Sequence, residues 1–312
     1  MIKNYFYQFV QQYDWNFPTL KTVFDNTKNN PYDEQDTNEE RSISWFHNKV
    51  VVVTGASSGI GRAIAMECAT NGANVVLAAR NESKLFSLRD EINKANGLAH
   101  VIPTDVSEED QCRALIDTTL KLFGRIDILV NNAGISMRAN FLDLDLSVLK
   151  KLMDTNFWGA VYCTKYALPE IIKTKGSVVG ISSISGITPL PGRTGYVASK
   201  HALDGFLETI RVENMEKDVH VMLVHPGFTT SNIRNVALNK FGLPQVETPL
   251  EESKLMPAER VAKEVVKGIL NKKRDIILTT EGKLITWLYR RVPQVAERLI
   301  YREMKKEVDA PF

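Results

Sequence analysis

The sequence predicts an α/β fold: a doubly wound parallel sheet in a single domain, preceded by an N-terminal appendage. Three observations carry that expectation. From Lys49 onward, short apolar runs rich in Val and Ile alternate with amphipathic stretches of helical period. Several runs lack the apolar–polar alternation of a half-exposed strand, as strands covered by helices on both faces should. The first run also leads directly into a glycine-rich turn that opens a helix.

Taken along the chain, strands are expected at Val50–Thr54, Asn74–Ala79, Ala99–Thr104, Ile126–Val130, Ser177–Ile181, His220–Val224 and Asp275–Leu278. The helices between them are expected at Arg62–Thr70, Ser83–Ala95, Glu108–Phe123, Asn156–Thr174, Tyr196–Glu213 and Pro257–Leu270. Residues 1–47 stand apart, with seven aromatics in the first 17 positions and then a polar, acid-leaning stretch. Ile2, Phe6, Phe9 and Tyr13 fall at helical spacing, so this appendage reads as a short amphipathic helix on a linker, packed on its own domain, on a partner subunit or on a membrane surface. The domain proper is expected over 48–280, with a lid at 228–256, and 281–312 as an amphipathic helix and tail. Leu284, Leu288, Val292, Val295 and Leu299 share one face of that helix among basic residues, and Pro293 interrupts it.

Composition narrows the function. The chain has 312 residues, 44% hydrophobic and 24% charged, enough to bury one substantial core. Lys plus Arg number 39 against 37 Asp plus Glu, a net charge of +2, so no global field recruits nucleic acid. Three cysteines (Cys68, Cys112, Cys163) without a C-x-x-C pair argue against a disulfide framework and fit a reducing, cytoplasmic setting. The histidines show no metal-ligand spacing, and no metal is expected. Nowhere do the ~18 consecutive apolar residues of a membrane span occur.

The motifs lie at the carboxyl ends of the expected strands, where open α/β sheets bind ligands. Thr54-Gly55-Ala56-Ser57-Ser58-Gly59-Ile60-Gly61 joins the first strand to its helix and reads as a dinucleotide cradle. Gly55 permits the tight turn, Gly59 the approach of a pyrophosphate to helix N–H groups, and Gly61 close helix–strand packing. Ser57, Ser58 and Ile60 complete the loop. The second strand ends at Ala79 rather than at an acidic residue that would bind a ribose 2′-OH, and Arg80 follows, so NADP(H) is favoured over NAD(H). Asp105-Val106 and Asn132-Ala133-Gly134 follow the third and fourth strands as further cofactor contacts. Ser183 precedes Tyr196 by 13 positions and Lys200 follows it by four, which puts the phenol and the ammonium on one helical face. A nearby cation stabilises a phenolate, which suits a tyrosine to proton exchange.

Together these residues resemble the short-chain dehydrogenase/reductase family, over about residues 47 to 280 and with the T-G-x-x-x-G-x-G spacing of its shorter reductase-type members. The resemblance implies a Rossmann-type fold and an oxidoreductase that interconverts a hydroxyl and a carbonyl. It implies that Tyr196 is the general acid/base, that Lys200 binds the nicotinamide ribose and lowers the tyrosine pKa, and that Ser183 rather than Ser182 orients the substrate. Asn156, in Asn156-Phe157-Trp158-Gly159, would hold a water in the proton relay. Pro226, Gly227 and Ser231 match the stretch that contacts the nicotinamide amide and the phosphates. Ser58 departs from the basic residue that many NADP-preferring members carry there, which leaves Arg80 as the main 2′-phosphate cation. A homodimer or homotetramer is implied, built partly from the helices that carry Asn156 and Tyr196.

The lid, with Phe228, Ile233, Val236, Leu238, Phe241, Leu243 and Val246, suggests an apolar alcohol or ketone as substrate, in the manner of the hydroxysteroid-dehydrogenase-like members. Met137, Arg138 and Pro189 to Arg193 are expected to line the same pocket. Two other readings remain open from sequence: a non-catalytic NADP-binding sensor or scaffold, and a peripheral membrane-surface protein.

Overall fold

The structure is a computed structural model that describes residues 44–230, 233–234, 236–245, 255–307 and 309–312. Most of the N-terminal appendage, Ser231 and Val246 lie outside the described residues. Seven strands form one parallel sheet: β1 (Val50–Thr54), β2 (Asn74–Ala79), β3 (Leu98–Pro103), β4 (Ile128–Asn131), β5 (Ser177–Ile181), β6 (His220–His225) and β7 (Asp275–Ile277). Their order is β3-β2-β1-β4-β5-β6-β7. The chain therefore reverses its direction of travel across the sheet at β1, whose Val51 pairs with Val75 of β2 on one side and Ile128 of β4 on the other.

The helices are α1 (Gly59–Thr70), α2 (Glu82–Lys94), α3 (Glu109–Phe123), α4 (Leu146–Met153), α5 (Gly159–Thr174), α6 (Thr194–Glu213), α7 (Ala258–Leu270), α8 (Thr280–Arg291) and α9 (Pro293–Met304). Two apolar layers hold α1, α2 and α7 to one face of the sheet and α3, α5 and α6 to the other, and the period-2 pleat decides which residue joins which layer. Val51, Val53, Val75 and Leu77 pack with Ile64 and Cys68 of α1, Leu88 of α2 and Val261 of α7. Their neighbours Val52, Val76 and Ala78 point to the opposite face, with Cys112 of α3, Cys163 of α5 and Leu207 of α6. Both faces are dry, so β1 reads as an unbroken Val run with every residue buried. The cysteines are free and buried among these side chains, with burial pushing the Cys68 thiol upward.

The predicted architecture holds, and its deviations are local. Helix α4 was not anticipated, because its eight residues are too few to establish a period. It runs through a π turn, Asp154–Trp158, into α5, so Asn156 sits inside a continuous helical segment rather than at a helix start. The C-terminal amphipathic stretch is two helices, broken at Val292 (φ −139°, ψ 70°), because Pro293 begins α9 and cannot continue the hydrogen bonds of α8. Among the described residues, no helix is long and apolar enough to cross a membrane.

Packing at the centre of the sheet is tight enough to test. A methyl group on Gly180 of β5 would run into the Leu207 side chain and come 3.1 Å from Leu223 Cδ2. Gly180→Ala is expected to cost about 1–3 kcal/mol in urea unfolding. Adding Leu207→Val should recover part of that loss, and independent, additive effects of the two changes would contradict the contact.

Candidate active site

The site opens at the carboxyl end of the sheet, at the reversal between β1 and β4. Thr54, the last residue of β1, ties the two strands together: its hydroxyl donates to the Val130 carbonyl (3.2 Å) and accepts from the N–H groups of Asn132 (3.0 Å) and Ala133 (3.1 Å). The Asn132 side-chain amide donates back to the Thr54 carbonyl (2.8 Å) and, more weakly, to that of Gly55 (3.3 Å). This clasp holds the glycine loop against the end of β4. Gly55 has φ +66°, and a Cβ there would sit 2.8 Å from the Ala133 Cα, so neither the conformation nor the space admits a side chain. A methyl on Gly61 would collide with the Gly55 carbonyl. Ser58 caps α1 in extended conformation without a side-chain cap bond, and Ser57 and Ile60 are half-buried beside it. The result is a cradle of backbone N–H groups at a helix N-terminus, a shape and polarity that fit a dinucleotide pyrophosphate.

Arg80 follows β2 with its side chain 63% exposed and its guanidinium 3.7 Å from the Asp105 carboxylate. A contact that long and that wet is weak. Asp105 is also held by the N–H (3.1 Å) and hydroxyl (2.8 Å) of Ser107, and Val106 is buried against Gly159.

The second half of the site is built from β5 and α6. Ser183 caps the 3₁₀ turn Ile184–Gly186, accepting from the Ser185 N–H at 3.1 Å, and its hydroxyl is close enough to the Tyr196 phenol to favour the ionised form. Ser182 is buried instead, with its Oγ lacking a partner among the described residues. Lys200 lies one turn beyond Tyr196 on α6, its Nζ 5.8 Å from the centre of the tyrosine ring and donating to the Ile181 carbonyl at 2.8 Å. Gly134 joins the two halves: a Cβ there would lie 3.6 Å from Lys200 Nζ and 3.3 Å from Asn156 Oδ1. Asn156 uses its side chain to fasten the loop after β4, accepting from the Ile135 N–H (2.8 Å) and donating to the Ile135 carbonyl (2.9 Å) and to Ser199 Oγ (2.9 Å). Pro226 accepts from the Ile184 N–H at 3.1 Å, and Gly227 packs on Thr279 and Ile184.

Burial dominates the electrostatics. It pushes the Tyr196 phenol above the usual tyrosine value; the Ser183 side chain pulls the other way, and the Asp204 carboxylate adds to the rise. Burial also lowers the Lys200 ammonium to about 8, opposed by Asp204. The downward pull on tyrosine expected from its lysine neighbour is not among the influences on the phenol, and loss of water around it dominates.

The proposed pocket-lining residues have other partners. Met137 is fully buried in a small apolar cluster with Val148, Leu152 and Leu238, against which Tyr196 packs. Leu238, in the segment expected as a lid, bonds through its N–H to the Ser136 carbonyl (2.9 Å) and through its carbonyl to the Arg138 N–H (2.8 Å). Phe228, Phe241 and Leu243 remain exposed. Arg138 and Arg193 both reach Glu307, at 3.2 and 2.9 Å, in a nearly dry cluster that pins the C-terminal tail to the loops on either side of the site. Sequence reasoning missed Glu307, which carries no motif. It also missed Asp204 and His225, although Asp204 follows Lys200 by the same four positions that separate Lys200 from Tyr196.

With this geometry, the relatives decide the family. The short chain dehydrogenase family model matches residues 49–240. The chain belongs to the short-chain dehydrogenase/reductase family. It is 36% identical to "11-beta-hydroxysteroid dehydrogenase A" of Sesamum indicum, over 81% of this chain and 75% of that one. It is likewise 36% identical to "Dehydrogenase/reductase SDR family member 7B" of Mus musculus, over 77% of this chain and 76% of that one. These relatives place this short-chain dehydrogenase/reductase in the hydroxysteroid-dehydrogenase-like group. A solved short-chain dehydrogenase/reductase from Burkholderia phymatum in complex with NAD shares the fold, with a TM-score of 0.73, 24% identity, and 80% of this chain and 95% of that one covered. An alcohol dehydrogenase from Thermococcus sibiricus, complexed with 5-hydroxy-NADP, superposes with a TM-score of 0.65 at 25% identity, covering 74% of this chain and 96% of that one.

The buried ammonium yields a test with a defined sign. A lysine whose folded-state value is depressed from 10.5 to about 8 opposes folding fully below pH 8, and the opposition fades as pH rises toward 10.5. Lys200→Met is therefore expected to stabilise the fold at pH 7 by about 2 kcal/mol, roughly 5 °C in Tm. The difference between variant and wild type should shrink above pH 8; a gap constant across pH would argue against a strained ammonium.

Proposed function

We propose that this oxidoreductase interconverts a hydroxyl and a carbonyl on a small apolar molecule, with NADP(H) as cofactor and Tyr196 as the general acid/base. The observation that carries the reading is the joining of two constellations across Gly134: the glycine cradle clasped by Asn132, and the Ser183, Tyr196 and Lys200 group at the end of β5.

When bound, the nicotinamide exchanges the hydride with the substrate carbon. The chain's residues do the rest. Gly55, Gly59 and Gly61 let backbone N–H groups approach the pyrophosphate, with Ser57, Ser58 and Ile60 as the loop's remaining contacts. Asp105, Val106, Asn132, Ala133 and Gly134 line the cofactor cleft, and Pro226, Gly227 and Ser231 its nicotinamide end. Ser183 holds the substrate oxygen beside the Tyr196 hydroxyl, which gives up its proton in reduction and takes one in oxidation. Lys200, from the same helical face, binds the ribose and favours the phenolate, and Asn156 supports the proton path. Binding alone would need no such relay, which weighs against a sensor or scaffold role.

The NADP preference rests on Ala79, where an acidic residue would favour NAD, and on the exposed Arg80 guanidinium that follows it. An apolar substrate is supported by the cluster of Met137, Leu144, Val148 and Leu238 against Tyr196, by the exposed Phe228, Phe241 and Leu243, and by the steroid-dehydrogenase names of the relatives. A homo-oligomer is supported by the exposed Trp158 beside α5 and Val212 on α6.

Titration with NADPH and NADH by fluorescence, followed by NADPH oxidation over a panel of apolar ketones and aldehydes, tests the reading. Tyr196→Phe is expected to keep its NADPH affinity and lose about 10²–10⁴ in turnover; turnover like that of wild type would remove Tyr196 from the mechanism. Arg80→Ala should weaken NADPH at least about tenfold while leaving NADH nearly unchanged, since only NADPH carries the 2′-phosphate. Equal weakening of both would show that Arg80 does not read that group.

A further inference from the structure

One turn beyond Lys200 on α6, Asp204 is buried and paired with His225, the last residue of β6, whose Nε2–H donates to Asp204 Oδ2 at 2.9 Å. Both side chains are nearly dry, at 12% and 5% exposed. The protein leaves room for the carboxylate: a methyl on Gly186, at the end of the 3₁₀ turn, would collide with Asp204 Oδ2 and come 2.5 Å from Ser182 Oγ. Ser182 Oγ, Asp204 Oδ1 and His225 Nδ1 are all buried without a partner among the described residues. Such an arrangement is a poor stabiliser, because apolar side chains of like volume usually serve a fold at least as well as a buried ion pair. Packing therefore does not account for it.

Its placement does. Helix α6 presents Tyr196, Lys200 and Asp204 at successive turns, while His225 immediately precedes Pro226-Gly227. The groups that face the pair are Tyr196 and Lys200 from α6, Ser182 and the Gly186 turn after β5, and His225 itself from β6. Among the described residues, Asp204 is the one charge that acts on both the Lys200 ammonium and the Tyr196 phenol.

We propose that Asp204 and His225 form a positioning pair for the oxidoreductase reaction. The Asp204 carboxylate keeps Lys200 cationic inside the protein, and the His225 imidazole fixes that carboxylate while tying the helix of Tyr196 and Lys200 to the Pro226-Gly227 loop. The assignment rests on the function proposed above, in which the Lys200 ammonium is the ribose donor. Neither residue touches the reacting atoms. Removing the negative charge makes a proton easier to lose from both Lys200 and Tyr196, so both would titrate at lower pH.

The test compares the full-length wild type with Asp204→Asn, His225→Leu and His225→Gln. NADPH affinity is followed by fluorescence from pH 6 to 10, and kcat/KM is measured over the same range with an apolar ketone that the wild type reduces. In Asp204→Asn the alkaline fall in NADPH binding should move down by about one pH unit, with the limbs of kcat/KM moving the same way. His225→Leu, which strands the carboxylate, should shift in that direction too; His225→Gln, which keeps an N–H at the same reach, should restore the wild-type pH dependence. A uniform loss at every pH in Asp204→Asn, or curves that coincide with wild type, would overturn the proposal. If Asp204→Asn does not fold, His225→Leu decides by the same criteria. If the wild type binds NADPH but turns over nothing, the enzymatic reading falls while the binding curves still judge the pair.

Discussion

Lys200 carries its ammonium into the interior at the carboxyl end of β5, where loss of water disfavours the charge and the surroundings only partly offset it. The Ile181 carbonyl accepts one of its hydrogens, and the Asp204 carboxylate supplies an opposing charge. A large part of the site follows from keeping that group in place. The loop after β4 comes close through Gly134, and the π turn fastens that loop through Asn156. Helix α6 carries Tyr196, Lys200 and Asp204 at successive turns. An ammonium held this way lowers stability, as groups poised for chemistry commonly do.

The sheet makes the strain tolerable. Its central strands are dry on both faces, with successive residues of β1 and β2 contributing to two separate apolar layers. That rigidity fixes the strand ends, and the ends fix the loops. Thr54 and Asn132 transmit the position of β4 to the glycine loop through short hydrogen bonds, so the cradle is shaped by the sheet rather than by its own sequence alone. The C-terminal tail does the corresponding work on the outer side, where buried Glu307 bridges Arg138 and Arg193 across the loops that flank Tyr196.

Much of this was legible in the sequence, and the reason is local. Uninterrupted Val runs announce strands buried on both faces, and five of the seven strands start and three end where the periodicity places them. The glycine string and the Tyr196 to Lys200 spacing are read within a single turn or helix, where neighbours in sequence are neighbours in space. Helix α4 and the π turn at Asn156 were not legible, since one is too short for a period and the other departs from the helical repeat that the reading assumes.

By itself the sequence determined the fold class, the dinucleotide cradle and the face of α6 that bears Tyr196 and Lys200, because each depends on contacts a few residues apart. Only the tertiary structure decided which partners those residues meet. The pairing of Asp204 with His225 spans 21 positions, and Glu307 meets Arg138 across 169. It also decided the electrostatic balance: the Tyr196 phenol is governed by burial, a quantity set by everything packed around it and invisible in the spacing of two residues.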